Sequence, residues 1–205
     1  MPGEPINWFA VIPGFREAVE RENAIRDAAF LDIPETICGI EVLPMTPRHF
    51  LLLDGIGSPF VVGGLPTAEA IAQFIWVVSP EFRVIRGWRD RLAQYRFVKR
   101  CRKINWVDAV KAIDQYINDA FQDSPGAKSG TSNLHDWSWV AALVDQIAST
   151  YHWSEVDILS IPVKRLFQYS RIVRRRDDPK AIFFNPRDRV RGEWLRERNQ
   201  KAQTN

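Results

Sequence analysis

The stretch of sequence that decides the fold is Thr67-Ala-Glu-Ala-Ile-Ala-Gln-Phe-Ile-Trp-Val-Val78, followed by Ser79-Pro80. Thr67 has the side chain of a helix N-cap, and Pro80 cannot continue a helix, so a helix is predicted between them. From Ile71 to Val78 only Gln73 is polar, which makes the helix apolar on nearly every side. We therefore expect it at the centre of the fold.

Helical spacing and helix caps recur along the rest of the chain. The predicted helices run from Gly14 to Leu31, from Thr46 to Gly55 or Gly57, from Asn105 to Phe121, from Trp137 to Tyr151, from Ser154 to Ser160, from Ile161 to Asp177 and from Pro186 to Gln200. Residues Thr36 to Val42 alternate loosely, which fits an extended segment or a short strand. The predicted fold class is mainly α, a multi-helix bundle with at most a short strand segment near 36–42.

The stretch from Phe82 to Lys103 is strongly basic, with nine Lys or Arg and one acidic residue in 83–103. It is predicted as one long helix, or two joined near Gly87, whose apolar residues face the core: Val84, Ile85, Trp88, Leu92, Tyr95 and Val98. Residues 161–205 are also basic, whereas 1–82 carry four Lys or Arg against eleven acidic residues. Such blocks neutralise one another within the fold or between subunits, or recruit an acidic partner. The sequence leaves these alternatives open. Pairing between subunits would make the protein a homo-oligomer.

Residues 123–133 form the clearest break in the pattern, because they are rich in Ser, Gly and Pro and contain no large apolar residue. We predict a flexible linker there. It divides the chain into an N-terminal helical domain, 1–122, and a C-terminal helical unit, 134–205, that ends in a basic tail.

The sequence predicts a cytoplasmic protein without a membrane partner. Its most apolar stretch, Gly55 to Pro80, is broken at Gly63-Gly64-Leu65-Pro66 before reaching the roughly 20 residues that span a bilayer. The N-terminus has neither the basic start nor the apolar run of a secretory signal. Cys38 and Cys101 lie far apart without a CxxC partner, as is usual for thiols in a reducing compartment.

No catalytic, metal-binding or cofactor-binding motif is present in the sequence. The three histidines, at positions 49, 135 and 152, belong to no HExxH or His/Cys cluster, and no GxSxG nucleophile elbow occurs. The glycines at 55, 57, 63 and 64 lack the GxxxxGK[ST] pattern of a phosphate loop and are better explained by a helix end and a tight turn. We predict a protein that is not an enzyme and has no cofactor.

Two segments resemble a known family. Residues from Trp153 to Tyr169, WSEVDILSIPVKRLFQY, combine a capped short helix, a break and an apolar helix. They resemble the small helical unit of tail assembly chaperones of long-tailed bacteriophages. Residues from Leu51 to Pro80, a helical hairpin around a glycine turn, are similar to phage structural modules of this kind.

The resemblance implies a non-enzymatic helper that covers aggregation-prone helices of the tape measure protein, or of another tail protein, and delivers them to tail subunits. An apolar groove between helices would hold these segments. The groove residues that we predict are Phe74, Trp76, Trp153, Leu166, Phe167 and Tyr169, each of which has a core position as its alternative.

Two other functions remain open. The basic tail could contact phosphates of a nucleic acid through Arg174, Arg175 and Arg176, although the acidic residues that interrupt the tail favour a protein-binding or solvated face. A permanent structural or adaptor subunit of the phage would differ from a chaperone by staying in the final assembly.

Overall fold

The computed structural model describes residues 11–31, 33–122, 138–178 and 186–203. Within these ranges the chain forms ten α-helices and one two-stranded antiparallel sheet, which confirms the predicted mainly α fold. The helices are α1 (Phe15–Asp27), α2 (Pro47–Gly55), α3 (Pro59–Val62), α4 (Ala68–Val78), α5 (Trp88–Cys101), α6 (Trp106–Phe121), α7 (Trp139–Tyr151), α8 (Glu155–Ser160), α9 (Val163–Asp177) and α10 (Pro186–Gln203). The strands are β1 (Glu35–Ile37) and β2 (Ile40–Val42), and a 3-10 turn covers Ala28–Phe30.

The chain divides into two compact units. The smaller combines the two ends of the chain, residues 1–31 and 180–205, and the larger contains residues 32–179. In the smaller unit α1 contacts α10, and Ile12, Phe15 and Val190 form a buried cluster against which Trp194 packs. Contacts between the two ends of a chain cannot be read from local periodicity, so this unit was not predicted.

The larger unit contains helices from both sides of the predicted linker, which itself lies at 123–133, outside the described residues. Phe121, on α6, contacts the rings of Trp139 and Phe167 at centroid distances of 5.3 and 5.8 Å. The helices that precede the predicted linker and those that follow it therefore pack against each other. This grouping differs from the predicted division into 1–122 and 134–205.

Helix α4 lies in the centre of the larger unit, as its sequence predicts. The Thr67 hydroxyl accepts a hydrogen bond from the Ala70 amide at 3.2 Å, and all residues from Ile71 to Val78 except Gln73 are buried. The Phe74 ring lies 5.2 Å from that of Phe60. These contacts make α4 the scaffold on which α3, α5 and α6 pack.

The segment near 36–42 is a hairpin rather than a single extended segment. Strands β1 and β2 pair antiparallel, with Glu35 opposite Val42. The turn between them contains two residues with positive φ, Cys38 at 48° and Gly39 at 79°. A cysteine is an unusual residue for this backbone conformation, so the sequence lacks the Asn-Gly or Asp-Gly signal that usually marks such a turn.

The predicted basic helix from Phe82 to Lys103 is shorter than expected, because only its later part, α5, is helical. Gly87, just before it, has an extended backbone with φ −157°. The Asp90 carboxylate accepts a hydrogen bond from the Arg86 amide at 3.1 Å, which fixes the chain at the start of the helix. Residues 82–86 therefore approach α5 as non-helical chain.

Tyr116 ties α6 to the end of the hairpin, because its hydroxyl donates a 2.6 Å hydrogen bond to the carbonyl of Leu43. The ring is buried, and this burial raises the pKa of the phenol. We expect Tyr116→Phe to lower the free energy of unfolding by about 1 kcal/mol, since this part-buried hydrogen bond is lost. Urea unfolding would measure the change. Tyr95→Phe, at an exposed tyrosine, is the control and should leave stability unchanged.

Candidate partner-binding surface

All six predicted groove residues belong to the larger unit, and four of them are buried in its core. Phe74 and Trp76 belong to the buried cluster around α4, and Leu166 and Phe167 to the cluster around α9. All four are at most 4% exposed. They therefore occupy the core positions that were the alternative to a groove. A partner cannot reach them in this conformation.

The other two, Trp153 and Tyr169, lie half-buried in an aromatic cluster with Tyr151. The Tyr151 and Trp153 rings stack at 5.2 Å, and the Trp153 and Tyr169 rings meet edge-on at the same distance. These rings cover part of one another's surface. The cluster stabilises the junction of α7, α8 and α9 and leaves only part of each ring for contact with another molecule.

The three predicted tail cations, Arg174, Arg175 and Arg176, occupy the last turn of α9. Arg175 and Arg176 are exposed and Arg174 is half-buried. Cations at this end of a helix interact favourably with the unpaired carbonyl groups and the helix dipole. They thus have a local structural role, and their contact with phosphates or with a protein stays a prediction.

A surface that sequence reasoning missed lies on α5. Trp88, Leu92 and Tyr95 are 70%, 38% and 60% exposed. Their spacing of four and then three residues places them on one side of the helix, and we call this side the α5 stripe. Three large apolar side chains aligned on an exposed helix form the kind of surface that marks a protein-interaction site.

The expectation that Trp88, Leu92 and Tyr95 face the core was wrong, and so was the same expectation for Val84 and Ile85, which are also exposed. Only Val98, of the six residues assigned to that face, packs against the core. The physical reason is that α5 has two apolar sides. The opposite side, with Phe97 and Cys101, is at most 1% exposed, and the Phe97 ring lies 5.0 Å from that of Trp76 on α4.

A groove of about 500 Å³ adjoins the stripe, between α4, α5 and the start of α6. Tyr95 belongs to both the stripe and the groove, whose apolar lining includes Ala72, Val98 and Trp106. The charged residues that line it are Arg91, Arg102 and Glu69. The groove therefore extends the apolar surface of the stripe and adds two cations and one carboxylate beside it.

Positive charge surrounds the stripe. Residues 83–103 contain nine Lys or Arg and a single acidic residue, Asp90. The Arg89 guanidinium lies 5.5 Å from the centre of the Trp88 ring, and Arg100 pairs with Glu81 at 2.6 Å. An apolar strip with cations on its borders is suited to an acidic amphipathic partner.

His49 serves the fold rather than chemistry. Its Nδ1 accepts a hydrogen bond from the Thr46 amide at 3.3 Å, while its own amide donates to the Thr46 hydroxyl at 3.2 Å, which completes a capping box on α2. Burial, assisted by the Arg48 charge, lowers the pKa of His49 to about 4. The imidazole is therefore neutral near pH 7, as its role of acceptor requires.

This depressed pKa predicts acid destabilisation. Between pH 6.5 and about 4 the unfolded state binds a proton at His49 and the folded state does not, so stability falls as the pH falls through this range. The full loss is about 3 kcal/mol. His49→Gln keeps an acceptor at this capping position without titrating. Urea unfolding at pH 7 and pH 4.5 should show a smaller loss for the variant. An equal loss in both proteins would contradict the assignment.

Cys101 and the potential metal ligands complete the description of the reactive side chains. Burial raises the pKa of the Cys101 thiol to about 11, which keeps it protonated and a weak nucleophile. The described residues contain no group of three or more His, Cys, Asp or Glu placed to hold a metal ion. Within the same ranges, no helix has the length and apolar character needed to cross a bilayer.

Comparison with known proteins leaves the chain without a detected relative. No protein-family model matches it, and neither the curated proteins nor the solved structures gave a significant match. The surface of α5 and the resemblance in the sequence are therefore the observations that bear on function.

Proposed function

We propose that the protein is a non-enzymatic assembly factor that binds a helical segment of another protein, as tail assembly chaperones of long-tailed bacteriophages bind the tape measure protein. One observation carries this proposal. Helix α5 buries one apolar side in the core and exposes a second, the α5 stripe, to solvent. The proposal places the protein in the cytoplasm of the host cell, where phage tails assemble.

The energetics favour a helical partner. Complete burial of a large apolar side chain contributes about 1.5–3 kcal/mol, so the three residues of the stripe can support a specific contact. An amphipathic helix buries such a row by placing its own apolar side chains beside it at matching spacing. Trp and Tyr, which supply two of the three side chains of the stripe, are also among the residues that most often dominate binding energy at interfaces.

A chaperone needs to cover apolar surface and to keep the complex soluble. The stripe and the adjoining groove would cover apolar residues of the client helix, and the charged residues around them would keep the covered helix in solution. A permanent adaptor subunit could use the same surface. Purified tails decide between the two, because a chaperone is absent from them and an adaptor is present.

Co-expression with the tape measure protein of the same genome tests the proposal. We expect the wild-type protein to raise the soluble fraction of the tape measure protein and the Trp88→Ala/Tyr95→Ala variant to lose this effect. The matched control is Val107→Ala/Val156→Ala, which removes two apolar side chains that are 64% and 62% exposed and lie outside α5. The control should act like the wild type. No effect of the wild-type protein on solubility would contradict the function, and full activity of the α5 variant would contradict the site.

A further inference from the structure

The α5 stripe follows the spacing of a coiled-coil seam. Trp88, Leu92, Tyr95 and Lys99 are separated by four, three and four residues, which corresponds to successive d, a, d and a positions of a heptad. All four side chains are exposed. At 1.5 Å per residue the seam is about 16 Å long, or three helical turns.

The arginines next to this seam occupy the positions that select a coiled-coil partner. Arg89 and Arg96 directly follow the d residues and so stand at e positions, and Arg91 precedes an a residue and stands at g. All three are exposed. Both borders of the stripe are thus cationic, whereas the single acidic residue of the helix, Asp90, belongs to the opposite side and bonds the Arg86 amide.

We propose that the α5 stripe docks a partner helix that has apolar residues at its a and d positions and Asp or Glu at its e and g positions. This inference rests on the proposed function and names the chemistry of its partner. The apolar rows of the two helices would interdigitate, and each arginine would face a carboxylate across the interface. The charge pattern selects the partner and its register, while the apolar row supplies most of the affinity.

An acidic helix fits the stripe better than a nucleic acid does. Phosphates could pair with the arginines, and bases could stack on Trp88 and Tyr95. Leu92, however, lies between these two rings and offers no stacking face. An amphipathic helix contacts all three side chains of the row at once.

The test uses two synthetic three-heptad peptides with Leu at a and d, one with Glu and one with Lys at every e and g position. Like charges at these positions disfavour self-association of each peptide. Fluorescence anisotropy at low salt measures their binding to the full-length protein. We expect the wild type to bind the Glu peptide at least about tenfold more tightly than the Lys peptide. The variant Arg89→Glu/Arg91→Glu/Arg96→Glu should show the opposite preference.

The charge-reversed variant has a net charge six units lower than the wild type, which by itself favours the Lys peptide, so a second variant separates the position of the charges from their sum. Circular dichroism checks that both variants keep the wild-type fold. Arg16→Glu/Arg48→Glu/Lys111→Glu changes the net charge equally at three exposed cations outside α5 and should keep the wild-type preference. Equal binding of both peptides, or no binding of either, would overturn the inference. So would tighter binding of a single-stranded oligonucleotide that displaces the Glu peptide. Rescue of the tape measure protein by co-expression would still support the proposed function in each of these cases.

Discussion

Replacing Phe74 with alanine is expected to lower the free energy of unfolding of the 32–179 unit by about 3–5 kcal/mol. The Phe74 side chain is 0% exposed and lies at the centre of α4. Its ring contacts Phe60 at 5.2 Å and Tyr116 at 6.1 Å, so truncation would leave a cavity bordered by rings from α3 and α6. Urea unfolding followed by circular dichroism measures the change.

Trp88→Ala is the matched control for this prediction, because it also removes a large aromatic ring but from a side chain that is 70% exposed. We expect it to change stability by less than about 0.5 kcal/mol. The comparison separates the two roles considered for aromatic residues of this chain. If Phe74→Ala were as harmless as Trp88→Ala, Phe74 would not be a core residue, and its sequence-based assignment to a binding groove would regain support.

The second large effect is expected for Leu166→Ala, at about 2–5 kcal/mol. Leu166, on α9, is 0% exposed and belongs to a buried cluster with Leu143 and Ile147 of α7 and Ile158 of α8. The helices around it are short, so they depend on this cluster rather than on intrinsic helix propensity. The loss should be visible as a lower urea midpoint with an unchanged slope.

This loss should spread over the whole larger unit. Phe121 contacts Trp139 and Phe167 across the predicted linker, and the Val163 amide donates a 2.8 Å hydrogen bond to the Met45 carbonyl. Native-state hydrogen exchange of the Leu166→Ala variant should therefore show reduced protection in α4 as well as in α9. Leu92→Ala, at an exposed leucine of α5, should leave both unchanged. Reduced protection confined to residues 138–178 would instead support two domains separated at 123–133.

Much of the fold could be predicted because its signals are local. Four of the predicted helices begin at Thr46, Thr67, Asn105 and Ser154, and the side chain of each accepts a backbone hydrogen bond as an N-cap. A cap and an apolar period together specify where a helix begins and which residues it contains. The position of α4 followed from the same kind of evidence, since a helix that is apolar on nearly every side needs neighbours on every side.

The surface of α5 could not be predicted, because the choice between its two apolar sides is made by tertiary contacts. Trp88, Leu92 and Tyr95 form one row, and Phe97 and Cys101 belong to the other. The spacing of apolar residues in the sequence reveals both rows, but it does not indicate which of them faces the core. The row with Phe97 faces the core because the Phe97 ring contacts Trp76, a residue 21 positions earlier in the chain. A helix with two apolar rows and cations beside one of them is the sequence signal that could have indicated an exposed binding side.

Site-specific photocrosslinking tests the central claim, that the α5 stripe is where a helical partner binds. A photoreactive phenylalanine analogue replaces Trp88 in one protein and Val156, a similarly exposed residue outside α5, in another. Each is co-expressed with the tape measure protein and irradiated, and mass spectrometry identifies the crosslinked segment. We expect crosslinks from position 88 to an acidic helical segment and none from position 156. Crosslinks from position 156 without any from position 88 would contradict it.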